Sequence, residues 1–570
     1  MAVKKQGAKF DVFTRIAIAF VIALIALLIA VPVLSILFES TRPTGMNVFK
    51  NALTSPVSRM ILKNTVVLGI SVGILGTLIG FILAYIQVRV NFRGKKILHV
   101  LSLVPLVSPP FAFATAVIVL FGRSGIISHD LLNMTPMLYG YPGLVIVLSA
   151  SYFPVAYLNL LGMMKSLDPA IDEAASSLGA NKFRIFRTVT VPLLVPGIAS
   201  SFLLLFVETI ADLANPLVIG GDYTVLSSRA YIAINGEYDI SSGAAYSAIL
   251  LLPALLVFIV QRYWSQRNSV VTVTGKPSGR IAPIESRITK FSLLTFAWTV
   301  GGFIILIYVT VIGGAFIKIL GVNNTFTLDN YRYIFSGIAN DALYSTVIMA
   351  LIATPLAGFI GMVMAWLIIR KLKRGSEALD FFGMLGIAVP GTVLGIGYAV
   401  TFNEPLKLFG HTVVPQLAGG GAIFGGALAI IMVYTIRSSP AGQRSGIAAL
   451  QQIDPSIDEA SASLGASGSR TFRKISLPLI RGAFLTGLMF AFARSMTTLS
   501  PIIFIATPET PILTQKILAE ADSGRYGAAF AICSLLIVIV LSVMGLINLI
   551  VRGKQGVEFK PTAVAGYRDN

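Results

Sequence analysis

The sequence predicts an all-α polytopic membrane protein, with about twelve transmembrane helices in two pseudo-symmetric six-helix halves. Three observations predict it: the composition, the length of the apolar runs, and a polar segment that occurs twice. Of 570 residues, 55% are hydrophobic and 12% charged, and the mean hydropathy is +0.83. Soluble domains carry about 25% charged residues. Runs such as 16–38 and 66–86 have the roughly 20 apolar residues needed to cross a bilayer as a helix. A transmembrane barrel would alternate over segments of about ten residues, whereas these runs are continuous.

In chain order the predicted spans lie near 16–38, 62–88, 97–121, 142–164, 195–219 and 244–263. The second half repeats them near 291–318, 343–369, 379–402, 422–445, 482–506 and 526–550. The first run is too long for a secretion signal and no small-residue cleavage site clearly follows it, so it reads as an uncleaved helix. Basic residues cluster at Lys4, Lys5, Lys9 and Arg15, at Arg89–Lys96, between Arg262 and Lys290, and at Arg370–Arg374. Twelve spans place all four clusters on one side, the cytoplasm by the positive-inside bias, with both termini there. The net charge of +19 therefore reflects topology; no basic and aromatic interleaving of the nucleic-acid-binding kind occurs. Residues 266–290, rich in Ser, Gly, Pro and base, read as a cytoplasmic linker between halves 1–265 and 291–570. Cys533 is the single cysteine, which excludes an intrachain disulfide or a multi-Cys metal site.

The repeated segment is DEAASSLGANKFRIFRTVTVPLL, from Asp172, and DEASASLGASGSRTFRKISLPLI, from Asp458, identical at 12 of 23 positions. The offset is 286, whereas Pro109 and Pro390 match at 281. Both copies fall on the cytoplasmic side, so the repeat is parallel, about an axis along the membrane normal. Asp168-Pro169 and Asp454-Pro455 supply an N-cap and a first-turn proline. Asp172 and Glu173, like Asp458 and Glu459, then lie at the positive end of the helix dipole. Ala174 and Ala175, and Ala460 in the second copy, propagate the helix, and Gly179 and Gly465 stop it. A second short helix, near 181–190, carries Lys182, Arg184 and Arg187, and Pro192 is expected to end it and turn the chain back to the membrane. Arg470, Arg473, Lys474 and Pro478 repeat that pattern. The segment reads as a bracket whose small exposed residues let another protein approach.

Glu173-Ala174-Ala175, Gly179 and Val191-Pro192, with Glu459-Ala460-Ser461, Gly465 and Leu477-Pro478, resemble the signature loop of binding-protein-dependent ABC transporter permeases. Val191 and Ser461 depart mildly from that pattern. The resemblance implies the type I importer permease fold, with this loop as the coupling helix that seats in a groove of the ATP-binding subunit. It implies as partners a homodimer of ATPase subunits on the cytoplasmic face and a periplasmic solute-binding protein, in a bacterial inner membrane. No Gly-Lys pair here has the Ser or Thr and the upstream Gly of a phosphate-binding loop. The chain is thus a transport subunit without catalytic residues or a cofactor of its own, and ATP and Mg belong to the partner.

Charge inside a span is costly and usually functional. Glu208 and Asp212 are spaced i, i+4 in the fifth span, and Arg494 in the eleventh aligns with Glu208 at the 286 offset. These residues either line a cation path or form an ion pair that locks the halves together; Asp212 has no evident partner. The stretch 208–228 resembles the fused permeases of ferric-iron uptake, so ferric iron is the expected solute. Thiamine, phosphonate, polyamine or sulfate are alternatives within the same broad group. His99, His129 and His411 form no metal-ligand spacing. The interrupted stretches around Pro109 and Pro390 read as gate elements or as close-packing points. Asp222, Glu237, Asp239, Glu404 and Glu509 are offered to the external binding protein. The rival reading is a twelve-span secondary transporter driven by an ion gradient, with Glu208 or Asp212 carrying the proton.

Overall fold

A computed structural model describes residues 12–109, 111–135, 138–267, 284, 286–372, 374–408 and 410–555. Most of the linker 266–290 lies outside them. Among the described residues ten helices are long and apolar enough to cross a membrane, and two bent pairs raise the number to twelve. The described residues are helical apart from two short antiparallel hairpins, Ile317–Ile319 with Asn323–Phe326 and Leu406–Leu408 with His411–Val414, and short turns and loops.

Four of the predicted spans are not straight. The third is split into Lys95–Leu103 and Phe111–Phe121, separated by a 3-10 turn and Ser108-Pro109. The ninth is Ser376–Ala388 and Gly391–Phe402, bent by 93° at Val389-Pro390. The fifth helix stops at Ala211, and the eleventh at Thr497. Proline supplies no amide donor and fixes its own φ, so the 109 and 390 breaks follow from the sequence. They fall at equivalent points of the two halves.

The second and fourth spans cross closely, and so do the eighth and tenth. A β-carbon at Gly80 would stand 2.7 Å from the Tyr157 amide nitrogen, and one at Gly361 2.6 Å from that of Gln443. Without a hydrophobic driving force between helices in lipid, backbone contact at small residues holds such crossings. Gly361→Val is therefore expected to destabilise the chain by about 3 kcal/mol by overpacking, read as a fall in thermal midpoint in detergent; an unchanged midpoint would refute the crossing. Side-chain clamps repeat as well. The Leu226 amide donates to Thr65 Oγ1 at 2.9 Å, and the Leu513 amide to Thr346 Oγ1 at 2.8 Å.

The halves are not separate six-helix bodies. The first span, Val12–Glu39, packs on the second half: Phe13 lies 5.8 Å from Trp366, and Tyr398 donates to the Leu28 carbonyl at 3.0 Å. The seventh span, Arg287–Gly314, packs on the first half, where Tyr308 meets the Ser108 hydroxyl at 2.5 Å and Ile304 joins the core around Tyr157. Each half lends its leading helix to the other, so the core is shared across the pseudo-two-fold.

Candidate functional site

Both copies of the polar segment form the same object. In the first, Asp168 accepts the Ala170 amide at 3.0 Å and starts the helix Pro169–Ser177. In the second, Asp454 accepts the Ser456 amide at 2.9 Å ahead of Ser456–Ser463. Gly179 and Gly465 have φ of +82° and +76°, the left-handed conformation that favours glycine at a helix stop. Ala180 N–H reaches the Ala175 carbonyl and Ala466 N–H the Ser461 carbonyl, each at 3.1 Å, which closes the helix ends. Asn181 then caps the next helix through the Arg184 amide at 2.8 Å, and Ser467 the other through the Arg470 amide at 3.4 Å.

Glu173, Ala174, Glu459, Ala460, Arg184 and Arg470 are exposed, and Ala175 is partly so. Leu178 and Leu464, which align, are each 89% exposed. An aliphatic side chain held out at the same point of both copies has no role in this chain's own packing.

Asp172 and Asp458 are tied down instead. Arg89, at the end of the second span, pairs with Asp172. Arg370, at the end of the eighth, pairs with Asp458 through Nε at 2.9 Å. Arg370 also donates to the carbonyls of Leu450 and Ile453, at 3.1 and 2.7 Å. By sequence alone both arginines read only as orientation signals. Their separation of 281 residues, the same as for the paired prolines, was the available signal.

Pro192 does not do what its position suggested. The second helix of the first copy continues without a turn from Lys182 to Ala211 as one 30-residue helix. A π-turn at Phe186–Thr190 runs directly into the α-helical stretch that holds the proline, and this widened turn accommodates a residue without an amide. In the second copy, Pro478 lies just before a 77° bend between Gly468–Leu479 and Arg481–Thr497.

At the centre, the four helix breaks converge on one cavity of about 140 Å³. Ser108, Gly391, Asp212 and Thr498 line it from the third, ninth, fifth and eleventh spans. Pro109 and Pro390 stand at the breaks themselves. Glu208 and Arg494 line it too, with Arg494 Nη2 3.4 Å from Glu208 Oε1. The pair crosses between halves, as the alignment placed it. Asp212 is not on the same helix face as Glu208: it follows the helix end with an extended backbone, ψ 132°. Nor is it without a partner. Tyr152 donates its hydroxyl to Asp212, and the amide and side-chain nitrogen of Asn215 donate at 2.9 and 3.1 Å.

Arg437 in the tenth span is a cavity residue that the sequence reading missed, although a charge within an apolar run was a sufficient signal. Among the described residues no group of three or more His, Cys, Asp or Glu could hold a metal ion. If Glu208 and Arg494 lock the halves, Glu208→Gln and Arg494→Gln should show a coupling of about 1 kcal/mol in a double-mutant cycle of thermal unfolding; additive effects would remove the lock.

Residues 76–270 and 357–555 each match the family model of the binding-protein-dependent transport system inner membrane component. The chain belongs to that family. This permease is accordingly a multi-pass inner-membrane component of an ABC transporter, not its ATPase, and the gradient-driven alternative is set aside. The matched stretches leave out the first and seventh spans, the two that cross to the opposite half. The permease is 34% identical over 498 residues to the ferric transport system permease protein FbpB of Actinobacillus pleuropneumoniae, covering 85% of this chain and 70% of that one. It is 34% identical over 524 residues to a putative ferric transport system permease protein, FbpB 1, of Haemophilus influenzae, covering 89% and 80%. The sulfate transport system permease protein CysT of Salmonella typhimurium is 29% identical over 212 residues, 36% of this chain and 73% of that one.

Proposed function

We propose that this permease is the membrane core of a ferric-iron importer, with halves 1–265 and 291–570 and both termini cytoplasmic. Two identical ATPase subunits, which carry ATP and Mg, seat on Glu173–Gly179 and Glu459–Gly465. The observation that carries the reading is the pair of brackets with equally exposed Leu178 and Leu464. Identical partners require equivalent sockets, and an exposed aliphatic tip gains free energy when a groove covers it. Closure of the ATPase dimer pulls on Asp172 and Asp458 and, through Arg89 and Arg370, on the second and eighth spans. Those spans cross the fourth and tenth at Gly80 and Gly361, which brings the motion to the cavity.

A periplasmic binding protein delivers the solute at the opposite face. Asp222, Glu404 and Glu509 are exposed there. Glu237 and Asp239 are less available, since Glu237 pairs with Arg229 at 2.7 Å and Asp239 accepts from Thr44 and Ser242. Ferric iron as cargo is supported by the two relatives described as ferric transport permeases, each matched over most of its length.

The test is uptake by proteoliposomes that contain this chain, the ATPase and the binding protein. Radiolabelled ferric iron should enter only with all three components and ATP. Entry of sulfate in place of iron would sink the ferric assignment and favour the reading carried by the sulfate permease relative.

A further inference from the structure

We propose that the central cavity is an oxyanion station, so that the solute crosses either as an oxyanion or as a ferric ion carrying one. The inference deepens the importer reading and rests on it, because it takes the cavity between the halves as the path.

The cavity is electrically uneven. At the 286 offset Arg494 stands where the first half has Glu208, and Arg437 where it has Ser151. The second half thus supplies two guanidinium groups and the first half two carboxylates. The carboxylates are already engaged. Asp212 takes three donors from Tyr152 and Asn215, and Glu208 faces Arg494.

Arg437 has no such partner. It is 8% exposed and lines the cavity. Its one hydrogen bond among the described residues is from Nη1 to the Val389 carbonyl at 3.2 Å, and its Nε has no partner. None of the described carboxylates lies within ion-pair distance of it. A buried charge without a counter-charge is costly, and the counter-charge that fits a planar guanidinium fork is a carboxylate, sulfate or phosphate group. The Nε of Arg494 is likewise unpartnered. Ser500 also lines the cavity. The volume suits on the order of ten waters, enough for a small hydrated oxyanion. A bare trivalent cation would meet the Arg437 charge at short range in a low-dielectric site, where repulsion is strongest.

The first measurement is the thermal midpoint of the detergent-solubilised permease in inorganic phosphate, sulfate or citrate, against chloride at matched ionic strength. At least one oxyanion should raise the midpoint by about 3 °C or more, since a ligand bound only to the folded state stabilises it. Arg437→Gln should lose the shift, Arg437→Lys should keep part of it, and Asp329→Asn, at an exposed position remote from the cavity, should keep it whole. No shift with any of the three anions, or an equal shift in Arg437→Gln, overturns the station. In that case Arg437 only braces the ninth-span break through Val389.

Uptake by the full complex distinguishes the sources. Labelled phosphate entering together with labelled iron assigns the oxyanion to the iron's coordination; labelled phosphate entering without iron makes it the solute. Iron uptake in Arg437→Gln at the wild-type rate overturns the proposal. A wild-type complex that shows the anion shift but takes up no iron overturns the ferric assignment instead, and leaves the station standing.

Discussion

Gly465→Asp combined with Gly179→Asp is expected to abolish ATP-driven uptake while the chain still inserts and folds. Nothing lies within 4 Å of a β-carbon built at either position, so the substitution meets no clash. What it meets is the backbone: φ of +82° and +76° costs an ordinary residue about 1–2 kcal/mol. The new carboxylate also sits at the negative end of a helix dipole. Both effects fall on the helix stop that holds Leu178 and Leu464 outward. The loss should therefore appear as failure to co-purify with the ATPase, with little change in membrane yield. Single substitutions should be intermediate, because the other bracket remains intact. Wild-type uptake by the double variant would remove these segments from coupling.

Arg370→Met carries the second large effect. The Arg370 side chain is 7% exposed, pairs with the Asp458 carboxylate and donates to the carbonyls of Leu450 and Ile453. Removing it leaves a half-buried carboxylate without its ion pair and two carbonyls at the end of the tenth span without a donor, at a cost of about 3 kcal/mol. The equivalent Arg89→Met breaks the pair with Asp172 and should cost less. Both are expected to lower the ratio of solute imported to ATP hydrolysed, because each pair ties a bracket to the end of a span. A normal ratio in variants with a lowered thermal midpoint would make the pairs structural only. Arg370→Lys keeps a charge but loses the fork, and should restore the ratio in part.

Much of this architecture was legible because its causes are local. Spans follow from apolar runs, the brackets from Asp-Pro starts and glycine stops, and the breaks at Pro109 and Pro390 from a missing amide. The repeat placed Glu208 opposite Arg494 without any structure. The errors have physical reasons too. Pro192 looked like a turn, but a π-turn absorbs it and the helix runs on. Asp212 looked like a helical residue in register with Glu208, but the fifth helix ends one residue earlier, and Tyr152 reaches it from 60 positions away.

The class, the spans, the duplicated brackets and the family resemblance can all be read from the chain alone, because periodicity, capping and spacing are properties of neighbouring residues. Folding was needed to bring the first and seventh spans onto opposite halves, to pin the brackets with Arg89 and Arg370, and to set Arg437 at the central cavity with no described carboxylate within ion-pair distance. Each of those is a meeting of side chains or helices far apart in the chain, set by how the spans pack on one another, and no local pattern encodes it.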